Sequence, residues 1–258
     1  YSKDEAFPLD VRGLTVLGAG STTTLVRGQG TFDRTALEGQ LAFADMRATI
    51  IAGHPTRVTR VEGMTLQRPT ELTAMDEKDS ALLCDQGNIT ERSPASVPAA
   101  NTILRDLVIA KGYARGVVVS NSTKTAAASG CNLKITASAL RGGPGQGILA
   151  SGANRGGTTA AQASRGVAIE IGGPDPADAV VATNYQSSTF SAAGAFVGSI
   201  AQLLLERFAV DNSNIGLIIE QESSSGKHPR AEVRRLTVTK GSSVGLWLNC
   251  DTRLGVLE

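Results

Sequence analysis

The apolar positions of this chain recur as a hexad, apolar-x-x-apolar-x-apolar, followed by a short turn and then a glycine that leads alternating apolar residues. The unit is plainest at Ala231–Cys250, AEVRRLTVTKGSSVGLWLNC. Its opening VRRLTV at Val233–Val238 nearly repeats VRGLTV at Val11–Val16, at the other end of the chain. Between them lie Val61/Met64/Leu66, Leu104/Leu107/Ile109, the weaker Ile135/Ser138/Leu140, and Leu205/Phe208/Val210. Glycine-led runs follow at Gly116–Val119, Gly147–Ala150, Gly216–Ile219 and Gly245–Leu248. Runs this short, with period-two alternation and Gly-rich turns, predict strands and not helices. Neighbouring copies approach a spacing of about 28 residues. At that period each unit is one coil, which buries its apolar side only against the next coil.

Alternation assigns faces to these strands. Leu14, Met64, Leu107, Phe208 and Leu236 are expected inside, with Val16, Leu66, Ile109, Val210 and Val238. In the glycine-led runs Val117/Val119, Ile148/Ala150, Leu217/Ile219 and Leu246/Leu248 are expected inside as well. That leaves Val118, Leu149, Ile218 and Trp247 facing out. An apolar outer stripe of this kind calls for a cover: the chain's own excursions, a protein partner, or self-association. Two surface excursions are expected, at 69–100, which holds the loop-forming RSPASVPAAN, and at 174–202. The whole of 1–258 is read as one domain carrying these loops, and its strand-like ends suit a piece of a longer chain or a module stacked end to end.

Composition narrows the picture. With 29 Gly but only one Trp, three Tyr and six Phe, small and β-branched residues must fill the core. The formal net charge of +1 gives no general nucleic-acid-binding surface. The most apolar stretch, Ala192–Leu205, is shorter than the roughly 20 residues that a membrane-spanning helix needs. Cys84, Cys131 and Cys250 are widely spaced with no C-x-x-C, which leaves buried thiols or one bridge plus a free thiol. The start at Tyr1, with no leader, suits a processed secreted protein or a fragment.

The cadence V-x-x-L-x-V, turn, G-[VIL]-x-[VIL] resembles the right-handed parallel β-helix of the pectin-lyase-like superfamily, from Val11 to the C-terminus. The resemblance implies an all-β, right-handed parallel β-helix (solenoid) with inserted loops, a fold that serves many unrelated activities. The rival architecture is an open β-sandwich. It would show N-G or D-G hairpin turns, which are nearly absent.

Chemistry is sparse. A charged rim runs through Arg12, Glu62, Arg105, Asp106, Glu206, Arg207, Arg234 and Arg235. It reads as a solvated ladder with Glu206 beside Arg234, or as a groove in which Arg105, Asp106, Arg207 and Arg235 bind an acidic glycan. Lys111, Tyr113 and Arg115 share one turn, with Arg141 and Lys240 in equivalent turns, and could supply a lyase's base and uronate clamp. A hydrolase's paired carboxylates, a G-x-S-x-G elbow and zinc-ligand spacing around His54 and His228 are not found. The MDEKD run lacks calcium-loop spacing, and GGPGQG at 142–147 has no following Lys-Ser/Thr. No cofactor or metal is expected. The expectation is a secreted, cell-surface or virion-surface structural or binding rod, adhesin-like or glycan-binding. The alternatives are a polysaccharide lyase or hydrolase acting on an acidic glycan, and a phage tail-spike-like trimer closed along the stripe.

Overall fold

A computed structural model describes residues 6–32, 46–54, 56–72, 75–76, 78–85, 101–120, 131–151, 168–188, 192–198, 202–220, 230–241 and 243–249. The strands begin with β1 (Leu9–Asp10), β2 (Thr15–Leu17), β3 (Leu25–Arg27), β4 (Gly30–Thr31), β5 (Arg47–Ala48), β6 (Ile50–Ala52) and β7 (Thr59–Gln67). Then come β8 (Ser80–Cys84), β9 (Thr102–Ile109), β10 (Arg115–Ser120), β11 (Leu133–Thr136), β12 (Ser138–Arg141), β13 (Gln146–Ser151) and β14 (Ala168–Gly172). The last are β15 (Val180–Thr183), β16 (Ala193–Gly198), β17 (Gln202–Asp211), β18 (Ile215–Glu220), β19 (Arg230–Thr239) and β20 (Val244–Asn249). Among the described residues the helical content is a single 3-10 turn, Pro176–Asp178.

These strands build two long sheets. The first holds β1, β6, β8, β10, β13, β16, β18 and β20 in that spatial order. The second runs from β2 and β3 through β7, β9, β11 with β12, and β14 with β15, to β17 and β19. Every pairing within either sheet is parallel. Among the described residues only β4 and β5 form an antiparallel pair, and Arg47 of β5 also bridges Asp79 in parallel just before β8. The chain visits the sheets alternately, and each return lays a strand beside the previous one. The protein is therefore all-β with extended parallel sheets, and an antiparallel sandwich is not its architecture. We call each pass through the second sheet plus the following first-sheet strand a level.

Register turns the levels into columns of like side chains. Val61, Leu104, Ile135, Ile171, Leu205 and Val233 follow one another directly, as do Leu66, Ile109, Leu140, Ala182, Val210 and Val238. All twelve but Val238 are buried, and most are fully so. The hexad has a backbone cause. Residues three apart face the same side only if the strand bends between them. The bend is a left-handed residue at the hexad's third position: Gly63 (φ 66°), Asp106 (49°), Ala137 (49°), Arg207 (60°) and Arg235 (51°). Non-glycine residues reach that conformation at a cost of roughly 1–2 kcal/mol, so the stacked neighbours hold it in place.

The glycine that leads each first-sheet run also has a cause. A Cβ on Gly116, Gly147, Gly194 or Gly216 would stand under 3 Å from the carbonyl oxygen of the glycine in the next level. Tyr185 packs into the space left beside Gly116 and Gly147.

Two departures from the expected pattern stand out. The first hexad is out of register: Val16 lies beside Val61, and Val26, from a separate strand, lies beside Leu66. Leu14, expected inside, is 52% exposed. One whole level carries no intact hexad. Ile171 and Val180/Ala182 occupy the hexad columns across an insertion at 173–179. Neither expected excursion is only a surface loop. Within 69–100 lies β8, buried at every residue, and 174–202 supplies β15 and β16. Residues 86–100 lie outside the described residues. Cys84 and Cys131 form a disulfide with Cα atoms 5.7 Å apart, both fully buried in the core. Cys250 lies outside the described residues.

Candidate functional site

The outer face of the second sheet carries the charged rim, and its charges meet one another. Arg235 pairs with Glu206, Arg234 with Glu232, Arg60 with Glu62, and Lys134 with Glu170 at 3.1 Å. Glu206 does stand in register with Arg234, but its ion pair goes to the left-handed Arg235. Arg105 reaches Asp178 at 3.9 Å, and Arg207 Nε donates to the Pro174 carbonyl at 2.9 Å. Asp106 accepts from both the backbone N–H and the hydroxyl of Ser21. Exposed pairs of this kind are worth under about 1 kcal/mol each. Their effect on recognition is larger: cations flanked by carboxylates leave little net field to attract a polyanion.

Among the lyase candidates, Tyr113 and Lys240 stand apart from the rest. Tyr113 points inward, fully buried, with its hydroxyl 2.6 Å from Thr49 Oγ1. Burial pushes its pKa far up, more than its bond to Thr49 and the charge of Arg68 pull it down. A buried, strongly held phenol is no solvent-facing base, so Tyr113 is withdrawn from that role. Arg115 Nε donates to Gln146 Oε1 at 3.0 Å on the first sheet. Lys111 and Arg141 are exposed at the ends of neighbouring levels. Lys240 stands four levels beyond Lys111, about 19 Å along the stack at ~4.8 Å per level.

The outer stripe of the first sheet is real and longer than expected. Ile51, Leu83, Val118, Leu149, Phe196, Ile218 and Trp247 follow one another in register. Its cover in the early levels, among the described residues, comes from before both expected excursions. Phe32, Met46 and Ala48, in and beside the β4–β5 pair, pack on Leu83, Val118 and Leu149. Toward the last level the stripe emerges, and Trp247 is 37% exposed.

One cluster escaped the sequence reading. Asp79 is fully buried, with Arg47 Nε at 2.7 Å, Arg68 Nη2 at 3.2 Å and Gln29 Nε2 donating at 2.9 Å. The backbone N–H of Asp76 donates to it as well. Arg68 reaches on to the Leu72 carbonyl, and Thr49 beside Tyr113 donates to the Gly28 carbonyl. The network ties 28–29, 47–49, Arg68, Leu72, Asp76, Asp79 and Tyr113 together at one corner of the stack. The sequence offered a faint signal in the acidic MDEKD run directly before an apolar strand, but nothing marked Arg47 or Arg68 as its partners.

Asparagines bridge levels at two other corners. Asn101 Nδ2 donates to the His54 carbonyl, and Asn132 N and Ala168 N donate in turn to the Asn101 and Asn132 side-chain oxygens. Asn212 Nδ2 donates to Asn184 Oδ1 at 2.6 Å, beside Thr239 bonded to Asp211. Among the described residues no group of His, Cys, Asp and Glu is placed to hold a metal ion. Nor is any helix long and apolar enough to cross a membrane. Compared with protein-family models, curated proteins and solved structures, the chain matches none.

Proposed function

We propose that this chain is a right-handed parallel β-helix like those of the pectin-lyase-like superfamily, acting as a non-catalytic structural or binding rod on an extracellular, cell or virion surface. The alternating visits to two parallel sheets support the coil. The observation that carries the function is the mutual pairing of the rim: Arg105, Arg207, Arg234 and Arg235 each have a carboxylate or carbonyl beside them. A surface balanced in this way favours an uncharged glycan or a protein over an acidic polymer. The Cys84–Cys131 bridge supports an oxidising compartment.

The test is incubation with uronate polysaccharides while following absorbance of an unsaturated product, alongside binding of neutral and acidic glycans. The rod reading predicts no product and no preference for the acidic set. Product formation that disappears in Arg115→Ala would overturn it in favour of a lyase.

A further inference from the structure

We propose that His54 is an acid-sensitive latch: in its neutral form it ties the joint between β6 and β7, and taking up a proton releases that joint. The proposal is independent of the rod reading above and goes beyond it.

The joint carries the chain from one sheet to the other, and His54 sits in it only 5% exposed. Its Nδ1 accepts two backbone N–H bonds, from Thr56 at 3.2 Å and from Arg57 at 3.1 Å. A ring nitrogen that accepts carries no proton, so the neutral ring holds its hydrogen on Nε2. In the imidazolium both nitrogens are donors. An Nδ1–H would then face two N–H groups at hydrogen-bond distance, and two attractions become two repulsions. Burial acts in the same direction, because it disfavours the charged form of a histidine.

The levels on either side are tied to this joint. A Cβ on Gly13, in the level before, would stand 3.0 Å from His54 Cδ2, so the Gly13 backbone packs on the ring. The Gly13 N–H is held by Thr59 Oγ1 at 2.8 Å. In the level after, Asn101 Nδ2 donates to the His54 carbonyl at 2.8 Å, and the Asn101 carbonyl accepts from the Thr59 N–H. Release of the joint therefore reaches both neighbours.

The charges packed around His54 pull both ways. Arg57 lies beside the ring, with its Cδ 3.2 Å from the same Gly13 position. Arg12, next to Gly13, pairs with Asp10, and Arg60 and Glu62 on β7 pair with each other. Asp85, fully buried one level on with its N–H on the Ala52 carbonyl, is the carboxylate that would favour a charged ring.

The experiment is an NMR titration of the full chain from about pH 8 to about pH 4, with amide exchange corrected for its intrinsic pH dependence. The chain has two histidines, and His54→Asn tells their signals apart. Asparagine does not titrate, and its side-chain oxygen accepts from a backbone N–H two residues on, as Nδ1 does here. At neutral pH the ring is expected to carry its hydrogen on Nε2. The His54 midpoint is expected below the ordinary value of about 6.5. Between that value and the folded midpoint, opening at Thr56 and Arg57 is expected to rise about tenfold per pH unit, because the open state binds the proton and the closed state does not. His54→Asn is expected to flatten that slope. A proton on Nδ1 at neutral pH overturns the proposal. So does a midpoint at or above the ordinary value, which would mean that Asp85 holds the ring charged. A slope that survives in His54→Asn overturns it as well, because another group would then be titrating. If the variant does not fold, the wild-type tautomer and midpoint decide alone.

Discussion

The early and late levels of this stack are held together differently. From β1 to β8 every strand but the nine-residue β7 is short, the first hexad column is assembled from separate segments, and a buried Asp79–Arg47–Arg68 cluster locks the corner. From β17 to β20 two ten-residue strands pair continuously, and aliphatic columns with Phe208 do the work. The contrast shows that a repeat need not be legible to be stable. Where the sequence departs from the hexad, separate strands fill the column and specific polar contacts add to it.

Two substitutions of similar total cost should separate the regions. Phe208→Ala empties a fully buried site in the late levels and should cost about 3–5 kcal/mol. Asp79→Asn leaves two arginines without their carboxylate and should also cost about 3–5 kcal/mol. Hydrogen exchange distinguishes them: Asp79→Asn is expected to expose amides in 47–85 first, and Phe208→Ala those in 202–220. Uniform loss of protection in both variants would erase the distinction between the regions.

Next in size is the covalent link. Replacing Cys84 and Cys131 together by alanine should lower stability by about 2–4 kcal/mol in denaturant melts, with the loss centred on the early levels. The bend column should respond in the opposite direction. Ala137→Gly relieves a left-handed alanine and should stabilise by up to about 1 kcal/mol, read as a raised melting midpoint. A drop in that midpoint would mean the alanine methyl contributes more packing than the bend costs.

The smallest effect is a pH effect. Burial raises the pKa of Tyr113 in the early levels and of Tyr185 nearer the late ones. Both favour the neutral phenol in the folded state. Their contribution is therefore complete below the ordinary tyrosine value of about 10, and it fades as pH rises above that. Ultraviolet titration should show both phenols resisting ionisation until the chain unfolds in alkali. Titration of either one with the fold intact would contradict its burial.

Much of this was legible in the residues. The hexad fixes its own columns wherever one strand carries all three apolar positions, as at Val61/Met64/Leu66 and Leu205/Phe208/Val210. It failed where insertions split it. The turn between β2 and β3 moved Val16 to another column, and residues 173–179 hid the level of Ile171 and Val180. The outer stripe was visible through Val118, Leu149, Ile218 and Trp247, but its cover was not, because Phe32 and Met46 carry no repeat signal. The Asp79 cluster was invisible for the same reason. Ion pairs between residues 32 and 11 positions apart leave no periodic trace, since only the fold brings Arg47 and Arg68 to Asp79.

The central claim is that parallel levels stack in register, and spin-label distances test it directly. Thr65, Val108, Ala139, Val181, Ala209 and Thr237 form one outward column. Nitroxides on Thr65 and Ala209, and then on Thr65 and Thr237, in a chain with Cys250→Ser, should give mean separations of about 19 and 24 Å at ~4.8 Å per level. Separations that fail to lengthen by about one level between the two pairs would contradict the account.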